Sequence, residues 1–198
     1  MHGPKTFQTM GKTNTEIKNN FTLYTELHKK RKTVLNSPIS VNKTKANHRG
    51  IQTGNTNVKH VSIKKDLIFE IEIKNDNIKD FKFKLFCTTY FNCPFFRFDS
   101  AGAAHRNNDP KISLKEQQIT TPHFHEFNSD GIELAYKTKA LKSKPQLTQL
   151  EDFNICVMHF CYEGNLRYKQ KDFPEIKLNE GELGYKFVNE DPLKNINF

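Results

Sequence analysis

Residues 66–74, DLIFEIEIK, alternate strictly, with Leu67, Phe69, Ile71 and Ile73 on one side and Ile68, Glu70, Glu72 and Lys74 on the other. Successive side chains of a strand point to opposite faces, so large apolar residues at every second position specify a strand buried on one face. After a turn at 75–77 the pattern resumes, with Phe81, Phe83 and Leu85 against Lys82 and Lys84. The pair predicts a β-hairpin with one apolar and one charged face.

Weaker patterns fill in the surroundings. Ile17, Phe21, Tyr24, Leu27 and His28 fall at helical spacing, with Asn14 or Thr15 as a cap and Lys29 to Lys32 at the end where positive charge suits the helix dipole. One amphipathic helix over about 15–32 is expected. Residues 36–60 are polar, with Pro38, Gly50 and Gly54 as breakers, and read as loop or linker. Cys93 to Asp99 is a third strand, 107–121 a loop, His123 to Phe127 a fourth strand and Ile132 to Lys137 a fifth, returning through a turn at 128–131. After Pro145, Leu147, Leu150, Phe153, Ile155, Val157 and Met158 fit a helix that Thr148 and Glu151 would open as a capping box and Gly164 would end. The remainder reads as loops with one short strand at 184–188.

The expected fold is therefore α+β: an antiparallel sheet of about five strands with a C-terminal helix packed on it, preceded by a basic helical N-terminal extension. The expected organisation is a basic module over 1–62, a sheet domain over 63–165 and a C-terminal tail over 166–198.

The net charge of +9 is unevenly placed. Residues 1–62 hold 11 basic and 2 acidic residues, and the remainder holds 20 of each. This asymmetry predicts a basic arm for a polyanion, in which Lys29, Lys30, Arg31, Lys32, Lys43, Lys45 and Arg49 track a phosphate backbone while Phe21 and Tyr24 stack on bases. The N-terminus lacks the apolar stretch of a signal peptide, and no run approaches the roughly 18 apolar residues of a spanning helix. A cytoplasmic protein with no membrane partner is expected, and Cys87, Cys93, Cys156 and Cys161 are expected to be thiols.

Polar residues of the kind that carry chemistry gather in 97–125: Arg97 and Asp99 in FFRFD, His105 in AGAAHRNND, and His123 and His125 in TPHFHEF. Each pair sits two apart, so on strands each pair shares a face. Three readings of this group stand. A ribonuclease without metal needs a base, an acid and a cation for the charge on phosphorus; His123 and His125 suit the first two, Arg97 the third, with Asp99 orienting an imidazole and His105 entering from its loop. His-x-His beside a carboxylate also offers two nitrogens and an oxygen to a metal ion. A purely structural role, with Arg97 and Asp99 as a cross-strand ion pair, is the third.

The run R-F-D-S-A-G-A-A-H-R-N-N-D-P, then T-P-H-F-H-E-F, I-E-L-A-Y and L-E-D-F-N-I-C, resembles a bacterial and phage domain family with Arg-x-Asp, Gly-x-x-His and Pro-His-x-His motifs. It is also distantly similar to TumE-type toxins. The resemblance covers about 63–165; Asn107, Asn108, Asp109 and Pro110 replace the family's Asn-Pro-Asp-Gly, and Leu134, Ala135 and Tyr136 its Trp-Ala. It implies an RNA-directed protein of a mobile-element or defence context, a metal-independent endoribonuclease without cofactor. RNA, a host or defence nucleoprotein, or an antitoxin is the implied partner. The alternative is a non-catalytic, anti-CRISPR-like inhibitor that binds a nucleic-acid-handling protein or its nucleic acid through the basic arm.

Overall fold

The alternating hairpin forms the middle of a much larger sheet. The computed structural model describes residues 13–108, 113–143, 148, 150, 152–169 and 172–178. Two short helices open it, α1 (Thr15–Asn19) and α2 (Phe21–Lys29), followed by β1 (Lys32–Val34), β2 (Ile39–Val41), β3 (Lys43–Lys45) and β4 (His48–His60). The hairpin is β5 (Leu67–Lys74) and β6 (Asn77–Phe86). Then come β7 (Phe96–Asp99), β8 (His105–Arg106), β9 (Gln118–Ile119), β10 (His123–Phe127), β11 (Glu133–Tyr136), α3 (Lys139–Lys142), α4 (Phe153–Glu163), β12 (Leu166–Tyr168) and β13 (Ile176–Leu178).

The main sheet runs β11-β10-β7-β6-β5-β4-β1-β12, with β3 also paired to β4, making nine strands among the described residues. Its neighbours are antiparallel except for β1 and β12, which pair in parallel, so the sheet is mixed. This overturns the expected antiparallel sheet of about five strands preceded by a helical extension. Residues 32–60 are four strands rather than an arm, and 166–168 and 176–178 return as strands beside β1 and β2.

The physical reasons are local. Asn20 splits the expected single helix by donating its side-chain amide to the Glu16 carbonyl at 2.9 Å, an alternative to the helical backbone pattern. The helix then stops at Lys29, because Lys32 turns back and donates from Nζ to the carbonyls of Leu27, His28 and Lys30, each at 2.8 Å. Three orphan carbonyls at the helix end are thereby satisfied by one buried ammonium. In β4 the core-facing positions are Gln52, Gly54, Thr56 and Val58, too polar to announce a strand. Gly54 is a packing position rather than a breaker: a Cβ there would meet the Ser40 backbone oxygen of β2 at 2.5 Å.

The core lies on one face of the sheet. Phe83 is buried against Phe69, Phe81, Phe98, Phe153 and Phe160, with ring centroids 5.1–6.2 Å apart. Phe96 and Phe124 stack at 5.5 Å and continue this layer toward β10, and Phe160 of α4 lies 5.2 Å from Phe96. Helix α4 begins at Phe153, where Asp152 caps the backbone N–H groups of Asn154 and Ile155. The expected Thr148–Glu151 box involves Glu151, and the expected strand at 184–188 falls later still; both lie outside the described residues. Among the described residues, no helix is long and apolar enough to cross a membrane.

Candidate active site on the polar face

The side of the sheet opposite the phenylalanines is charged. Alternation puts Lys82 and Lys84 of β6, Arg97 and Asp99 of β7, and His123 and His125 of β10 on this face. The register then seats them side by side: Lys82 opposes Asp99, Lys84 opposes Arg97, His123 opposes Asp99 and His125 opposes Arg97. Farther along, Glu72 of β5 pairs with both Lys84 (2.5 Å) and Lys45. Burial alone would raise the Glu72 carboxyl, but its two lysine partners hold it below the ordinary range.

At the β7–β10–β11 end these contacts close into a cluster. Asp99, His123 and His125 are buried, at 7%, 1% and 2% exposure, while Arg97, His105 and Glu133 are half-buried. Nε2 of His123 lies 2.8 Å from Nε2 of His125. His125 Nε2 is 3.6 Å from Asp99 Oδ2, and its Nδ1 is 3.4 Å from Glu133 Oε1. Arg97 Nη2 is 2.9 Å from Nε2 and 3.1 Å from Nδ1 of the same ring. No point in the ring plane is that close to both nitrogens without colliding with Cε1 between them, so the guanidinium sits over the ring face. Both in-plane lone-pair directions of His125 are left to His123 and Glu133. Arg97 Nε is also 3.1 Å from Asp99 Oδ1, and Lys82 Nζ is 3.5 Å from Asp99 Oδ2.

His105 completes the site from outside the main sheet. Its ring stands edge-on to His125 at 5.0 Å and lies 6.4 Å from His123. The β8–β9 hairpin that carries it is anchored by Asn107, whose side-chain amide donates to the Ala135 carbonyl and accepts from the Ala135 N–H, both at 2.7 Å. One asparagine thus extends the ladder of the edge strand β11 and fixes the hairpin over the cluster.

The electrostatics follow from this enclosure. Burial would raise the Asp99 carboxyl, but the His125 hydrogen bond and the charges of Arg97 and Lys82 hold it at about 2. Burial, helped by His125, pushes His123 down to about 4, against the Thr120 backbone and Asp99, which favour a proton on that ring. Burial and then His125 likewise lower His105. His105 and His123 are accordingly neutral imidazoles at pH 7, able to accept a proton or ligate a metal. Asp99, His123 and His125 each offer a ligand atom within 4.8 Å of one another, and so do His105, His125 and Glu133.

All five expected cluster residues are therefore brought together. Glu133, Asn107 and Lys82 belong with them and were not singled out in the sequence. Lys82 was already visible as a charged-face position of the hairpin. Glu133 and Asn107 show only once β11 lies beside β10.

The expected basic arm does not assemble. Lys32 is fully buried and spent on helix carbonyls, Lys45 is paired with Glu72, and Lys29 is 3.8 Å from Glu126. Tyr24 is buried and accepts a hydrogen bond from the Phe127 N–H at 2.8 Å, so it offers no face to a base. Lys30 and Arg31 are exposed where β1 meets the end of β4, while Lys43 and Arg49 are exposed at its start. Ten residues of extended strand separate Arg49 from His60, roughly 35 Å. The four cysteines are free, and Cys87, Cys156 and Cys161 are buried.

No family model, curated protein or solved structure matches this chain.

Proposed function

We propose that the chain is an RNA-directed enzyme that cleaves phosphodiester bonds at the polar face of β7, β10 and β11. The observation that carries this reading is the convergence, over three adjacent strands and one pinned hairpin, of three imidazoles, a guanidinium and two carboxylates. The resemblance to TumE-type toxins through Arg97, Asp99, His105, His123 and His125 points the same way.

The geometry redistributes the roles. His123 and His125 meet nitrogen to nitrogen at 2.8 Å, so no phosphate group fits between them and they cannot flank a scissile bond as separate acid and base. His105, half-buried where His123 and His125 are buried, stands 5.0 Å from the His125 ring and is the imidazole a substrate would meet first. Held neutral by its surroundings, it is placed to take the proton from an attacking hydroxyl. Arg97, over the ring of His125, supplies positive charge for the phosphoryl oxygens. Asp99 fixes both Arg97 and His125. The rival reading, a non-catalytic blocker with one basic arm, gains nothing from basic residues divided between the two ends of β4.

Incubating purified protein with total RNA and zinc tests this. The wild type should cleave, and a folded His123→Ala/His125→Ala variant should not. Charge reversal at Lys30 and Arg31 should leave cleavage in place. A folded, zinc-supplied wild type that leaves RNA intact, or a double-histidine variant as active as wild type, would overturn the reading.

A further inference from the structure

With both facing imidazoles neutral, the proton arrangement inside the cluster is unsatisfactory. Two neutral imidazoles can share one proton between facing Nε2 atoms only if one ring carries it there and leaves its own Nδ1 bare. Were that ring His125, a bare Nδ1 would face the Glu133 carboxylate at 3.4 Å, lone pair against negative charge. Were it His123, its Nδ1 would be bare and buried with no donor to meet it. Keeping both Nδ1 protons removes these faults but sets two Nε2 lone pairs against each other at 2.8 Å. A positive charge on this pair reconciles all four nitrogens, either a metal ion held by the two Nε2 atoms or a proton that makes His125 an imidazolium between Asp99 and Glu133, and metal content tells the two apart.

A second observation points to the same place. His123 Nδ1 is buried and makes no hydrogen bond, and buried Asp99 Oδ1 has only the Arg97 Nε beside it, at 3.1 Å and without hydrogen-bond geometry. Buried polar atoms left unsatisfied at one spot call for an explanation, and a bound ion or water is one that polar surroundings of this kind accommodate. The Asp99 carboxylate, 3.6 Å from His125 Nε2, turns toward the facing nitrogens and adds an oxygen to them.

We propose that Asp99, His123 and His125 bind one divalent first-row transition ion, with Glu133 acting from outside as the positioning residue for His125. Two imidazole nitrogens and one carboxylate oxygen suit zinc, manganese or iron(II) rather than magnesium or calcium, which prefer all-oxygen sites. Glu133, accepting from Nδ1–H, holds His125 in the tautomer whose Nε2 is free to ligate, the usual role of a carboxylate behind a metal-bound histidine. The charges of Asp99, Glu133, Arg97 and Lys82 cancel, so an added divalent ion leaves the site positive, which complements a phosphodiester. The three protein donors leave positions open for a substrate oxygen. The catalytic use of the ion rests on the reading proposed above; its binding does not.

The test is metal content. Full-length protein equilibrated with zinc, and separately with manganese, then passed through gel filtration, should retain one ion per chain. Cobalt(II) in place of zinc should give a visible absorption band. Asp99→Asn, which preserves shape, and His123→Ala/His125→Ala should retain none, each checked for folding by circular dichroism. Glu133→Gln should still bind, roughly 10- to 100-fold more weakly. A folded wild type that retains neither ion, or equal retention by wild type and Asp99→Asn, overturns the proposal. Binding without RNA cleavage leaves this inference standing and removes the proposed function; cleavage by protein that binds no ion does the reverse.

Discussion

The two faces of the sheet come from the same alternating strands, yet one is settled and the other is not. On the apolar face Phe69, Phe83, Phe98, Phe124 and Phe160 fill each other's surroundings, and an unpartnered polar atom such as Thr56 Oγ1 stands by itself rather than in a cluster. On the polar face every side chain needs a partner, and the contacts run from Lys45 through Glu72 and Lys84, and from Lys82 through Asp99, Arg97 and His125 to Glu133. Toward β3 the partners match and the ion pairs are complete. Toward β10 and β11 they do not: His123 Nδ1 has no hydrogen bond, and Asp99 Oδ1 and Arg97 Nε meet only each other, at 3.1 Å and without hydrogen-bond geometry. A face that satisfies itself is scaffold; the end that fails to is where chemistry is expected.

Three substitutions or titrations separate these regions by size of effect. Phe83→Ala, which empties the centre of the apolar face, should lower stability by about 3–5 kcal/mol, measured by urea unfolding. A loss below about 1 kcal/mol would mean the phenylalanine layer is not what holds the sheet.

The second concerns a histidine on the apolar side. The His28 ring lies 4.6 Å from Phe96, and burial, with Lys29 and Lys32 adding, pushes it from 6.5 to about 3. The unfolded chain therefore takes up this proton first. Stability from His28 is complete above about pH 6.5 and lost as pH falls toward about 3, a change of a few kcal/mol. His28→Phe keeps the packing against Phe96 and should flatten that part of the melting-temperature profile between pH 6.5 and 4. An unchanged slope would show that the titration lies elsewhere.

The third concerns the completed half of the polar face. Glu72→Gln leaves Lys84, only 12% exposed, without its closest carboxylate and should cost about 1–3 kcal/mol. RNA cleavage should persist in the remaining folded protein, because Glu72 lies on β5, away from the histidines. A variant of normal stability that lost cleavage would join the two halves into one functional unit.

How much of this could be read in the chain depended on whether one strand's own residues carried the signal. The β5–β6 hairpin was legible because Phe69, Ile71, Phe83 and Leu85 alternate with charged residues. Strand β4 was not, since Gln52, Gly54 and Thr56 face the core, and Gly54 is there for the close approach of β2. The nine-stranded width was hidden because β1, β3 and β12 are each only three residues long, too short to carry a pattern of their own. Within the site, Arg97 with Asp99 and His123 with His125 were visible as pairs two apart. Their mutual contact needed the β7–β10 register, and Glu133 and Asn107 needed β11. The charge excess of residues 1–62 was real as a sum and misleading as a place: Lys32 is buried, Lys45 is paired, and the exposed remainder splits between the two ends of β4.

The central claim is that substrate meets the polar face at its β10 end. The direct measurement is histidine ring NMR during titration with a 2′-O-methyl RNA oligonucleotide, which binds without being cleaved. With substrate at this end, the His105 and His125 resonances shift as RNA is added, while those of His28, His60 and His159 stay in place. Shifts confined to His28, His60 or His48, with His105 and His125 unmoved, would contradict it.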